Sequence, residues 1–342
     1  MFNKKLATNK KKFNEHFYSL DFFRGFCGYG VAITHFCAFV FNDFYMEYLS
    51  FLFVELFFVL SGFVLYPQLI KVLNDNKKLF IFYKRRWLRT LPLYFVSLVL
   101  VSILTNQLFS NDFYKYFLLI QKTIPQFIVN DYYPVAWSLS VEEIFYLCFP
   151  IFLIFLNKSN FMKVSIYTFI LIGIAKFFFA GSIESNFYRT GSFLRLDAIL
   201  LGFILAHYKT FFLDLKKIIL FLNISILVFY FLNYDLFINN KNSAFIKFSF
   251  ILIMQSISVL MLLSFINFEK YFKANMFRKF CILISQQTYS IYLTHIIFIY
   301  ILKKIDFTFS FSLSLYVFLL FISSFLVYNF FEKPILLKRP RI

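Results

Sequence analysis

Cysteine is scarce in this chain: Cys27, Cys37, Cys148 and Cys281 are the only four among 342 residues. All lie in or near apolar stretches. Their spacing fits neither a disulfide framework nor a zinc pattern, so they read as small apolar core residues, and no metal site is expected. An internal repeat is missing, and so is any Pro- or Ser-rich linker. No small-residue cleavage site follows the first apolar run. Lys4, Lys5, Lys10, Lys11 and Lys12 therefore read as part of a basic N-terminus, residues 1–19, ahead of an uncleaved first helix. Acidic residues are few, 17 against 35 Lys and Arg, which leaves a net charge of +18. Such an excess can signal nucleic acid. Here the positive charges fall in alternate gaps between apolar segments, so no nucleic-acid partner is expected.

What is abundant is apolar surface. The chain is 61% hydrophobic and 24% aromatic, with a mean hydropathy of +0.73. A soluble domain of this length cannot bury that much, so most of it faces lipid or other membrane helices. Apolar spans fall near 20–41, 50–70, 90–108, 136–156, 164–180, 192–208, 218–234, 248–267, 280–302 and 310–330. The expected fold is all-α: a polytopic membrane protein of about ten transmembrane helices with both termini on one side. Gaps on the side of the N-terminus hold 25 Lys and Arg, and the opposite gaps hold 8. By the positive-inside rule both termini are cytoplasmic.

Ionisable residues inside such spans are costly and need a reason to be there. His35 lies within FCGYGVAITHFCAFVF (26–41), with Arg24 eleven residues before it. Eleven residues is close to three helical turns. The two share nearly one stripe, about 16 Å apart along the axis. Sorted by depth, His35, Glu55, Glu142, Glu143, Asp197 and His295 all sit roughly 8–11 Å beneath the outer boundary, on five helices. The pattern predicts a polar cavity holding His35 and at least one of Glu55 and Glu142, with its opening near Arg86 and Arg89. Separate snorkelling of each residue is the alternative.

On the inner side, KVLNDNKKLFIFYKRRWLRTLP (71–92) carries Lys84, Arg85, Arg86 and Arg89. Arg86 and Arg89 share a helix face. Two readings stay open for the pair: ordinary positive-inside charge, or guanidinium forks for a polyphosphate. Arg24 has its own alternative, an interfacial pair with Asp21.

Seven segments, in order, resemble one known family. LDFFRGFCGYGVAITHF (20–36) is similar to the first helix of the acyltransferase 3 family of multi-spanning membrane acyltransferases, and ELFFVLSGFVL (55–65) to its second. RRWLRTLPLYF (85–95) resembles its Arg-x-x-Arg element, and WSLSVEEIFYLCFP (137–150) its most recognisable block. RLDAILLGFILA (195–206), TYSIYLTH (288–295) and EKP (332–334) resemble later landmarks. On this basis the acyltransferase domain spans 20–331, followed by a basic cytoplasmic tail, 332–342.

The resemblance implies transfer of an acyl group, most often acetyl, from cytoplasmic acyl-CoA to a hydroxyl of a carbohydrate, commonly on a cell-surface or lipid-linked glycan. It implies an integral protein of the bacterial cytoplasmic membrane, with acetyl-CoA as co-substrate and no permanently bound cofactor. It gives His35 the essential histidine role and Arg24 that of its partner, with Glu142 as the acidic residue of the SVE block. Some relatives carry a further soluble domain at the C-terminus. The short tail here predicts acylation at the membrane core or through a separate partner. The chemistry needs a base for the hydroxyl proton and a stabilised oxyanion. His35 suits the base, with Glu142 or Glu55 to hold its tautomer; a transient acyl-imidazole is the other route. Arg24, Arg86 and Arg89 are expected to bind the phosphates, while Glu55, Glu143, Asp197 and His295 support the polar layer. A transporter or flippase of a glycan or small anionic solute would also carry intramembrane charge, but discontinuous helices and a repeated half are not evident in the sequence.

Overall fold

A computed structural model describes residues 16–127, 130–155, 160–305 and 308–341. Most of the basic N-terminus, residues 1–15, lies outside the described residues. The long helices are α1 (Tyr18–Phe41), α2 (Phe44–Asn74) and α3 (Lys78–Leu104), then a short α4 (Asn111–Phe117) and α5 (Ala136–Phe155). Next come α6 (Phe161–Phe179), a short α7 (Ser185–Thr190), α8 (Leu196–Leu213) and α9 (Lys216–Leu232). After the short α10 (Tyr234–Asn239) follow α11 (Ala244–Asn267), α12 (Asn275–Leu302), α13 (Phe309–Val327) and α14 (Lys333–Leu337). No strand occurs among the described residues. In lipid the backbone must satisfy its own polar groups, and a helix does so within one segment.

Nine helical segments among the described residues are long and apolar enough to cross a membrane. The remaining expected span, the seventh at 218–234, is α9, a helix of 17 residues, at the short end of a spanning length. Their outer faces carry exposed aromatics such as Phe155, Phe178, Phe211 and Phe318. In water that surface would be a liability, and in a bilayer it is the solvated face. Prolines 67, 92 and 150 lie inside helices, as lipid-embedded helices allow.

Two helix pairs frame the interior. Helix α1 lies along α12, and Tyr316 of α13 donates to the Ala32 carbonyl of α1 at 2.9 Å. Helix α2 crosses α8 at Gly62 and Gly202. A Cβ on Gly62 would overlap the Ile199 carbonyl, and one on Gly202 the Val59 carbonyl. Only glycine permits that approach of two backbones.

The same crossing surrounds a buried charge group. Glu55 pairs with Arg195, and Asp197 accepts from Lys176 at 2.5 Å and from Gln255 at 2.8 Å. All five side chains are almost fully buried. Pairing is the condition for charge at such depth.

Candidate active site

A cleft of about 270 Å³ opens at the end of the bundle where α1 begins. Helices α1, α2, α3, α5 and α12 line it. Its mouth is basic. Arg24 comes from α1, Arg85, Arg86 and Arg89 from α3, and Arg339 from beyond α14. Among the described residues, none of the five makes an ion pair with a carboxylate. Arg86 is only 9% exposed, lies over the Tyr146 and Phe82 rings, and has an unpartnered Nε. Arg24 donates to Ser285 Oγ at 3.4 Å, and that hydroxyl donates to Asp21 at 2.9 Å. The interfacial pair expected between Arg24 and Asp21 is thus replaced by a shared serine. Buried guanidinium groups without acidic partners favour an anion.

Further in, the walls turn apolar and hydroxylated. Glu142 faces the cleft and accepts from Tyr146 at 2.8 Å, one turn along α5. The Tyr146 hydroxyl also meets Ser61 Oγ at 3.0 Å. Glu143 does not line the cleft; it accepts at 2.6 Å from Thr90, which does. Phe57 and Tyr292 line the cleft as well, their rings meeting edge to face. The Tyr292 hydroxyl is bonded to Ser138 Oγ at 2.6 Å.

Behind Tyr292 stand the two histidines. Its ring centroid is 5.9 Å from that of His295, and His295 is 5.4 Å from His35. His35 Nδ1 and His295 Nε2 are 3.1 Å apart, and His295 Nδ1 is 3.2 Å from the Ile291 carbonyl. A carbonyl only accepts, so His295 carries its proton on Nδ1. In the neutral pair its Nε2 then accepts from His35 Nδ1–H, which leaves the lone pair of His35 on Nε2. His295 is fully buried, while His35 keeps part of its surface open.

The expectation of one polar cavity is corrected by this arrangement. Common depth does not bring the layer together. Glu142 shares the cleft with Arg24, Arg86 and Arg89. His35 and His295 lie one ring beyond it. Glu55 and Asp197 are consumed by Arg195 and Lys176. Among the described residues the His35 imidazole is bonded to His295 and to no carboxylate. Arg85, one of the inner-side cluster, and Arg339, in the tail, carry no assigned role in the sequence, and both line the cleft. Tyr292 carried no signal, since an aromatic residue three before a histidine is ordinary in a chain this rich in tyrosine. Tyr146 had one: it follows Glu142 by four residues, a spacing that stacks two polar groups on one helix face.

A cleft with five arginines in its lining, and an imidazole pair behind one of its lining rings, defines a class: a polytopic membrane protein with a basic cleft among its helices. The particular family follows from comparison. A family model described as an acyltransferase domain matches residues 17–328, and the chain belongs to that acyltransferase 3 family. An uncharacterized protein of Haemophilus influenzae is 32% identical over 186 residues, which is 45% of this chain and 74% of the relative. A Staphylococcus aureus (strain COL) protein named "Putative O-acetyltransferase" is 29% identical over 232 residues, 60% of this chain. The match spans only 37% of that relative's length, and a second, from strain MSSA476, gives the same figures under the same name. No solved structure matches the chain.

Proposed function

We propose that this chain transfers an acetyl group from cytoplasmic acetyl-CoA to a hydroxyl of a carbohydrate acceptor, on a cell-surface or lipid-linked glycan, at the bacterial cytoplasmic membrane. Family membership and the O-acetyltransferase named among its relatives support the reaction class. The single observation that carries the donor assignment is the cluster of five arginines, none ion-paired to a carboxylate among the described residues, in a cleft whose lining residue Tyr292 contacts His295. The positive-inside excess supports placing that mouth in the cytoplasm.

Dimensions support acyl-CoA over a compact anion. Small-molecule sites typically run to about 300–1,000 Å³, so this cleft is at their lower edge and suits an arm better than a nucleotide. The pantetheine arm has roughly thirteen bonds between sulfur and phosphorus. At the reach of a polypeptide backbone it extends about 15 Å. Arg24 and His35 are about 16 Å apart along α1. Phosphates held at Arg24, Arg86 and Arg89 would leave the thioester beside Tyr292 and the histidines.

In the reaction, His35 Nε2 takes the proton of the acceptor hydroxyl as its oxygen attacks the thioester carbonyl. The C–S bond breaks, and the imidazolium returns the proton to the thiolate, giving CoA thiol and the ester. His295 holds the Nδ1 proton of His35, keeps the reactive lone pair on Nε2 and shares the charge that develops. It takes the place that a carboxylate fills in other triads. Moving an acyl group through the membrane core in this way spares the donor from crossing.

The test is CoA thiol release by protein purified into nanodiscs and given acetyl-CoA, with and without lipid-linked or cell-wall glycan. Acceptor-dependent release, with ester on the glycan, is expected. Glycan passage across the bilayer without ester formation would overturn the proposal in favour of a flippase.

A further inference from the structure

The mouth of the cleft contains a residue that the family match does not reach. Residues 338–341 follow α14 and lie past the matched segment, which ends at 328. The chain turns back there: Lys338 N–H donates to the Ile335 carbonyl at 3.1 Å, and Arg339 N–H to the Leu336 carbonyl at 3.3 Å. Arg85 of α3 donates to the Pro340 carbonyl, tying the tail to the arginine helix. The tether places Arg339 in the lining of the cleft beside Arg24, Arg85, Arg86 and Arg89.

This placement is electrostatically unfavourable by itself. Burial, then the charges of Arg89, Arg85 and Arg86, push the Arg339 guanidinium down to about 10. Among the described residues Glu142 is the one carboxylate lining the cleft; it lies near Arg86 and Arg89 and is bonded to Tyr146, and a single carboxylate cannot offset five guanidinium groups. Tyr328 is the other titratable neighbour of Arg339, and it carries no charge near neutral pH. The Arg86 Nε, buried and unpartnered in the same lining, is a second sign of a missing acceptor. Five guanidinium groups around one mouth are stabilised together by a ligand with several negative charges. A single carboxylate or monoanion would leave most of them opposed.

We infer that Arg339 is a ligand of the donor's nucleotide phosphates, and that the C-terminal tail is the wall of the donor site that selects a polyphosphate thioester over a phosphate-free one. This rests on the acyl-CoA reading above. With the arm filling the interior, the bisphosphorylated nucleotide remains at the mouth, where Arg85 and Arg339 stand. The same phosphate chemistry is offered by anionic lipid headgroups at the membrane surface, and the experiment separates the two sources.

The full chain is placed in neutral phosphatidylcholine nanodiscs, alone or with phosphatidylglycerol added. CoA binding is measured by calorimetry, and KM for acetyl-CoA and for acetyl-pantetheine by thiol release. Adenosine 3′,5′-bisphosphate is the competitor. Wild-type protein is expected to bind CoA in neutral lipid, and the bisphosphate to compete. Arg339→Gln should raise the acetyl-CoA KM by about tenfold with little change in kcat, and leave the acetyl-pantetheine KM where it was. Arg339→Lys should recover only part of the loss. An unchanged acetyl-CoA KM in Arg339→Gln overturns the inference, and so does an equal rise for both donors, which would mark the tail as packing alone. Competition by phosphatidylglycerol but not by the bisphosphate would assign the arginines to lipid. If the wild type binds no CoA at all, the donor reading itself fails, a result distinct from a normal Arg339→Gln. Truncation after Lys338 serves as the second variant, should Arg339→Gln fold poorly.

Discussion

Replacing His295 by alanine isolates the part of the proposed chemistry that depends on one hydrogen bond. In the wild type, the 3.1 Å contact fixes the His35 proton on Nδ1, and the Ile291 carbonyl in turn fixes His295. Without His295, the imidazole of His35 loses its acceptor inside the bundle. A buried donor left unsatisfied costs about 1–3 kcal/mol, which is roughly a 5- to 150-fold effect at about 1.4 kcal/mol per decade. Part of the His35 population also turns its proton to Nε2, where it cannot act as base. His295→Ala is therefore expected to lower kcat about 10- to 100-fold, less than His35→Ala, which removes the base and about 10²–10⁴ in rate. The donor KM should stay within about twofold of wild type, because neither histidine lines the cleft. His295→Gln supplies an amide oxygen to His35 Nδ1–H and should restore part of the rate. Adding His295→Ala to His35→Ala should cost nothing further, since the two act as a unit. The assay is acceptor-dependent thiol release at saturating donor, at equal folded protein. Normal kcat in His295→Ala, or an alanine and a glutamine variant equally impaired, would refute the reasoning.

Three further outcomes are expected. Arg89→Ala should raise the acetyl-CoA KM and spare kcat, with Arg89→Lys partly recovered; a fully active lysine variant would return Arg89 to interfacial charge alone. Glu55→Ala leaves Arg195 charged and buried without its partner, and should destabilise the fold by about 3–5 kcal/mol, read as a lowered Tm in detergent. A Glu55→Leu/Arg195→Met pair should be milder, and equal losses in the single and double variants would contradict the ion-pair account. Cysteines placed at Lys78 and Asn130 should label from opposite faces of the membrane, and labelling from the same face would defeat the assigned orientation.

The fold was largely legible because lipid imposes one rule on every span: apolar, helical and long enough. Hydropathy failed where charge enters a helix. The third span, expected from residue 90, begins at Lys78, because Arg85, Arg86 and Arg89 continue the same helix and turn toward a cleft. The π-turn at Tyr328–Glu332 and α14 likewise extend the last span through Glu332, which is buried and bonded to Ser290. Site residues were legible as types and as depths. Glu142, Arg24, Arg86 and Arg89 do meet in one cleft, but rotation about each helix axis is invisible to depth. For that reason Glu55 and Asp197, at the same level as His35, turned out to face Arg195 and Lys176. The pairing of His35 with a residue 260 positions away is set by the packing of α1 on α12, which no local pattern encodes.

The crossing at Gly62 and Gly202 has a mechanical meaning. Backbone rests on backbone there, with no side chain between to act as a bearing, and the Glu55–Arg195 bond ties α2 to the turn that leads into α8. Helices α2 and α8 therefore move as one stiff strut. Tyr292 of α12, which stands between the cleft and the histidines, is held as well: its hydroxyl lies 2.6 Å from Ser138 Oγ and 3.1 Å from the Val135 carbonyl. The strut and this pinned phenol together make a fixed frame between the basic cleft and the imidazole pair.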